Sequence, residues 1–157
     1  MMAGSPKLLI QAFGQAFPKA FLFLNLPIFS LGEIMYHLLV IDDEKEILDI
    51  IKIILSKAGY EVETALDGQK GIKKFDNGQF DLVITDINMP GLDGRKVFEY
   101  IRNSDRTYTP IIGVSGTPWL LKDIPFDAVF IKPFPLMDLV NSIRHLIMQV
   151  GSDCDLI

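Results

Sequence analysis

Four apolar runs in this chain end in a side chain that can do chemistry. Leu38-Leu39-Val40-Ile41 leads into Asp42-Asp43-Glu44. Leu82-Val83-Ile84-Thr85 leads into Asp86, followed at once by Pro90-Gly91 and Asp93-Gly94. Ile111 to Val114 leads into Ser115-Gly116, and Ala128 to Ile131 into Lys132-Pro133-Phe134. Such runs read as buried parallel strands, and the turn residues behind them leave the reactive groups at strand ends. Parallel strands bring those ends to one edge, where open α/β sheets bind ligands. Carboxylates crowded there repel one another unless a cation neutralises them. A hard divalent ion such as Mg2+ does this with oxygen ligands and retained waters. No cluster of His and Cys is present, which argues against zinc. Lys132 adds a positive charge and Ser115 a hydroxyl, and the set suits a phosphoryl group carried on one carboxylate. Each piece alone has a plainer reading. Asp42-Asp43 could cap a helix, Ser115 could be a turn residue and Lys132 a solvated strand end. Their joint placement at four strand ends is what favours a site.

The elements that must position these groups alternate. After the strand at 38–41, a helix carries Ile47, Ile51, Ile54, Leu55 and Ala58 on one face, with Asp42 or Asp43 as its cap and Gly59 as its stop. Tyr60 to Ala65 reads as the second strand. Asp67 to Phe75 reads as a weaker helix closed by Asn77-Gly78. A helix over 95–103 turns Val97, Phe98 and Ile101 inward. Pro110 to Ser115 and Ala128 to Ile131 are the fourth and fifth strands. A last helix over 136–148 buries Leu136, Leu139, Val140, Ile143 and Ile147. Strands alternating with helices pair in parallel through right-handed crossovers. The expectation is an α/β fold, a doubly wound five-stranded parallel sheet.

The bulk numbers agree. The 157 residues suffice for one domain with a core. The apolar share of 49% and charged share of 22% fall in the globular range. A net charge of -5 argues against a general nucleic-acid or membrane-surface binder. The single cysteine, Cys154, can form no internal disulfide, which fits a reducing, cytoplasmic setting.

Residues 1–36 differ in composition. Phe13, Phe17, Phe21, Phe23 and Phe29 crowd this stretch, Pro6, Pro18 and Pro27 interrupt it, and no acidic residue precedes Glu33. Its longest uncharged run, 20–32, is too short to span a bilayer comfortably. We read residues 1–36 as an apolar extension, with a misassigned start ahead of Met35 as the leading explanation and an apolar anchor or docking arm, or a disordered tail, as alternatives. The domain itself is expected over 37–149, with a short polar tail over 150–157.

Asp42-Asp43 behind a hydrophobic strand, Asp86 followed by Met89-Pro90 and Asp93-Gly94, Ser115-Gly116 and Lys132-Pro133-Phe134 together resemble the receiver domain of two-component response regulators. The resemblance covers residues 37–149. It implies a flavodoxin-like strand order of 2-1-3-4-5. It implies that Asp86 accepts a phosphoryl group from a histidine kinase or a histidine phosphotransfer protein. It implies Mg2+ held by Asp43, Asp86 and the backbone carbonyl of Asn88, with Asp42 acting through water. Ser115 and Lys132 would contact the phosphoryl oxygens, and Lys132-Pro133 would be a cis peptide. Gly116 would leave space above the acceptor, while Asn88 and Thr117 would tune hydrolysis. The resemblance further implies a stand-alone receiver that signals by docking a downstream protein target or by phosphorelay. It would be no enzyme beyond catalysing its own Mg-dependent phosphorylation and dephosphorylation.

Two features depart from that pattern. The position three residues before Lys132, usually aromatic in the family, is Val129, and alternation turns Phe130 to the other face. Ser115 and Lys132 are only 17 positions apart, and the stretch between them includes Pro118 and Pro125, so a short or missing fourth helix is expected. Trp119, Leu120 and Leu121 would then pack inward or form an exposed docking patch. These departures keep open a phosphorylation-independent adaptor on the same fold. A metal-dependent phosphatase fits less well, because the residue two beyond Asp86 is Asn88 rather than a second acid. His37 and His145 show no helical or metal-ligand partner and read as ordinary surface residues.

Overall fold

The computed structural model describes residues 35–153. The chain divides into two units, Met1–Ile34 and Met35–Ile157. The extension expected at 1–36 therefore lies outside the described residues except for its last two. The second unit runs β1 (His37–Ile41), α1 (Lys45–Lys57), β2 (Glu61–Ala65), α2 (Gly68–Asn77), β3 (Leu82–Asp86), α3 (Gly94–Arg102), β4 (Ile111–Ser115), a 3-10 turn η1 (Pro118–Leu121), β5 (Ala128–Ile131) and α4 (Leu136–Asp153). The five strands form one parallel sheet in the order β2-β1-β3-β4-β5. This is the doubly wound, flavodoxin-like topology expected.

Side-chain alternation divides the core between the two faces of the sheet. Leu38, Val40, Leu82, Ile84, Ile112 and Val114 pack under Leu48, Ile51 and Leu55 of α1 and under Leu139, Val140, Ile143 and Ile147 of α4. Leu39, Ile41, Val83 and Ile111 face the other way, against Phe75 of α2 and Val97, Phe98 and Ile101 of α3. Each such large apolar side chain contributes about 1.5–3 kcal/mol by leaving water. The buried row of α1 includes Leu48, which the sequence reading omitted, while Ala58 is exposed.

The helix ends follow local chemistry. Asp67 and Asp93 cap α2 and α3 by accepting from the amides of Lys70 and Lys96. At α1 the expected aspartate cap is corrected: Glu44 is the N-cap residue and makes no side-chain cap bond. Asp42 instead accepts from the Glu44 amide at 2.9 Å, a turn that holds its carboxylate at the strand end. Gly59 closes α1 with φ of 94°, where the Gly59 and Tyr60 amides bond back to the Ser56 and Leu55 carbonyls. The final helix runs to Asp153, past Met148, so the first part of the expected tail is helical.

Between β4 and β5 the helical position is reduced to η1, as two prolines in so short a loop require. The rest of that loop fills the gap. Leu121, Ile124 and Phe126 pack on the core, and the Phe126 ring takes the space that a side chain at Gly113 would need. Leu120 is half-buried, and Trp119 is 74% exposed, so the three residues of that run divide between core and surface. Among the described residues, no helix is long and apolar enough to cross a membrane.

Candidate functional site

The strand register assembles the site. Ile41 pairs with Thr85, Asp86 with Val114, and Ser115 with Ile131. Asp42, Asp86, Ser115 and Lys132 therefore end β1, β3, β4 and β5 at neighbouring positions on one edge. The strand order reverses direction about β1 and β3, so Asp42 and Asp86 stand at the topological switch point, where such sheets bind ligands. The Lys132 amide donates to the Ser115 carbonyl at 2.9 Å, which extends the ladder through the site.

Asp42 and Asp86 are 3% and 5% exposed. Two acids this close and this buried need compensation, and Lys132 supplies it. Its Nζ lies 2.8 Å from Asp42 Oδ2 and 3.0 Å from Asp86 Oδ1, with Glu44 Oε1 at 3.5 Å. The second oxygen of Asp86 accepts from the Asn88 amide at 2.7 Å. Burial pushes the Asp86 carboxyl above its usual range, and the proximity of Asp42 adds to this, against the pull of Lys132 and the Asn88 amide. Burial acts against the Lys132 ammonium, yet its bonds to Asp42 and Asp86 outweigh it and hold its pKa above the ordinary value.

Ser115 is fully buried, and its hydroxyl is engaged locally. It donates to the Thr117 carbonyl at 3.3 Å and accepts from the Thr117 amide at 3.0 Å. Thr117 in turn is the N-cap residue of η1. Asp43 and Asn88 are exposed beside the buried pair. Lys132-Pro133 is cis. Gly116 leaves open space, whereas a Cβ at Gly94 would come within 2.2 Å of the Asp86 carbonyl oxygen.

Among the described residues, no three His, Cys, Asp or Glu side chains are gathered into a metal-holding cluster. The donor chemistry nonetheless fits a hard divalent cation. Asp42, Asp43 and Asp86 supply only oxygen, and Asp42 and Asp86 alone already set two carboxylates against one ammonium, a surplus of negative charge at the strand ends.

The sequence reading missed Glu44, which contacts Lys132; an acid directly behind Asp42-Asp43 was the available signal. It also missed the close approach of Gly94. His37 is a correction. It is half-buried at the far end of β1, with Nδ1 2.9 Å from the Gln79 carbonyl, Nε2 3.4 Å from Glu63 and its ring against Phe80. His145 is exposed, and its Nε2 meets Gln149 at 3.0 Å. On β5, Val129 is 50% exposed, while Phe130 lies on the other face and packs against Phe134.

Fold and site together define an open α/β protein with a buried acid pair and a lysine at its switch point. The chain belongs to the response regulator receiver domain family, whose family model matches residues 38–144. It is 33% identical over 118 residues to the transcriptional regulatory protein TrcR of Mycobacterium tuberculosis, covering 72% of this chain and 46% of that protein. It is 41% identical over 82 residues to the CAI-1 autoinducer sensor kinase/phosphatase CqsS of Vibrio cholerae, covering 51% of this chain and 12% of that one. The chain spans about half the length of most of the transcriptional regulators it matches. Among solved structures, it is similar to the response regulator TrrA of Thermotoga maritima, in complex with Mg2+ and BeF, with a TM-score of 0.67 and 35% identity over 71% of this chain and 99% of that one. A CheY-like receiver domain protein of Methanospirillum hungatei gives a TM-score of 0.70 and 29% identity over 76% and 98% of the two chains.

Proposed function

We propose that this receiver accepts a phosphoryl group on Asp86 from a histidine kinase or a histidine phosphotransfer protein. The observation that carries the reading is the Lys132 ammonium held between Asp42 and Asp86 at the switch point of the sheet. Asp86 is the acid best placed to act as nucleophile, since it ends the central strand and one of its oxygens faces the lysine.

In this account an Asp86 oxygen attacks phosphorus in line, opposite the donor's imidazole nitrogen. The new bond joins phosphorus to Asp86. The phosphorus–nitrogen bond breaks with its electron pair on the imidazole, which takes a proton from water. Lys132 turns toward the equatorial oxygens, where charge is spread in the transition state. Ser115 leaves Thr117 to donate to the same group. Asp42, Asp43 and Asp86, with the Asn88 backbone carbonyl, would hold Mg2+, which when bound neutralises phosphoryl charge. The carboxylate charge is replaced by about -1.5 to -2. The receiver would then signal by docking a downstream protein or by passing the group along a relay in the cytoplasm, without acting on other substrates. The sensor-kinase relative and the TrrA complex with Mg2+ and BeF support this reading.

Borohydride reduction after incubation with acetyl phosphate and Mg2+ tests the acceptor. An aspartyl phosphate is reduced to homoserine, and the reading expects that residue at position 86. Homoserine elsewhere overturns it. The half-exposed Val129, where an aromatic would otherwise respond to Ser115, favours a second reading as a phosphorylation-independent adaptor. Equal partner affinity before and after phosphorylation would establish that alternative.

A further inference from the structure

Three carboxylates surround the Lys132 ammonium, and they are not equivalent. An ammonium has three N–H donors. Asp42 stands at 2.8 Å, Asp86 at 3.0 Å and Glu44 at 3.5 Å. Asp42 and Asp86 are buried, and each has its other oxygen fixed by a backbone amide, from Glu44 and Asn88 respectively. The Glu44 side chain is 62% exposed and has no other bond, not even the helix cap that its position would allow. It is the longest and least committed of the three partners, and it lies on the solvent side of the lysine.

We infer that Glu44 is the exchangeable partner of Lys132, the carboxylate that an incoming phosphoryl oxygen displaces. The inference rests on the acceptor reading above and adds a specificity-determining role to a residue outside the reactive set. A phosphodonor is an anion. To reach Lys132 it competes with Glu44 for one ammonium and meets its charge at the mouth of the site. Asp42 and Asp86 are poor candidates for release, because letting go of the lysine would leave a buried acid uncompensated. Glu44 released from Lys132 returns to water at little cost. The residue therefore acts on capture of the donor rather than on the chemical step. It is a positioning residue, since it touches the lysine and not the reacting atoms.

The test measures phosphorylation rate by intact mass against acetyl phosphate concentration, at saturating Mg2+, for the full chain and for Glu44→Gln and Glu44→Asp. Glu44→Gln keeps the shape and removes the charge. The expected result is a fall in the half-saturating acetyl phosphate concentration of about two- to fivefold, the range of an exposed ion pair, with the maximal rate unchanged. Glu44→Asp keeps the charge and should stay near the parent protein. High salt should erase the difference by screening. A half-saturating concentration unchanged or raised in Glu44→Gln overturns the inference while leaving the acceptor reading intact. A change confined to the maximal rate also overturns it. No phosphoryl gain in any form of the protein overturns the acceptor reading and this inference with it.

Discussion

The Lys132 ammonium lies 3.0 Å from Oδ1 of Asp86, although 46 positions separate the two residues in the chain. One cation thus compensates a buried acid on the central strand and reaches Asp42 on the neighbouring strand as well. Stability and the proposed chemistry meet at this contact.

Replacing Lys132 with Met removes that compensation and leaves two buried carboxylates facing each other. Breaking a buried pair by removing one partner costs about 3 kcal/mol or more. Urea denaturation of Lys132→Met at neutral pH is expected to show a loss of that order. Part of it should return on adding Mg2+, because a dication can take the place of the lost charge. A loss below about 1 kcal/mol would mean that the pair is solvated rather than buried.

Asp86→Asn is expected to act in the opposite direction. Burial, with Asp42 nearby, holds the Asp86 pKa above its ordinary 3.8 in the folded protein. The folded state then binds a proton more tightly than the unfolded chain. The resulting contribution is fully present below pH 3.8 and is lost as pH rises through the folded value. At neutral pH the ionised carboxylate therefore weighs against the fold, and Asp86→Asn relieves it. Denaturation measured from acid to neutral pH should show the variant gaining on the parent as pH rises. A gap that narrows over that range would contradict the burial argument.

The glycines near the site give a paired test of backbone packing. A Cβ at Gly94 meets the Asp86 carbonyl oxygen at 2.2 Å, and backbone yields little. Gly94→Ala is expected to cost about 1–3 kcal/mol. Gly116 faces open space, and Gly116→Ala should stay within about 0.5 kcal/mol of the parent. Thermal or urea unfolding of both variants decides the matter.

Ser115→Ala removes the hydroxyl that accepts from the Thr117 amide. The expected loss is about 1 kcal/mol by urea denaturation, together with slower phosphorylation. Ser115→Thr keeps the hydroxyl and should retain most of both.

The sheet and the convergence of the candidate site residues were legible because a parallel sheet sends every strand to the same edge. Asp42, Asp86, Ser115 and Lys132 each followed an apolar run, so their convergence follows from topology alone. The reduced η1 was legible from two prolines in a short loop. What escaped depends on side chains reaching across the fold. Glu44 meets a lysine 88 positions away, and His37 meets Gln79 and Glu63 from other elements. No local pattern encodes such pairs. Leu48 escaped for a subtler reason. Alpha1 carries apolar residues almost all round, with Ile50 and Ile53 exposed, so its periodicity marks a helix without fixing which row faces the sheet.

The most direct test of the central claim is intact-mass spectrometry after incubation with acetyl phosphate and Mg2+, run beside Asp86→Asn and an EDTA control. The account predicts a gain of one phosphoryl group that requires the metal and is absent from Asp86→Asn. A gain that persists in Asp86→Asn, or no gain with acetyl phosphate or an active histidine kinase in a folded protein that binds Mg2+, would contradict it.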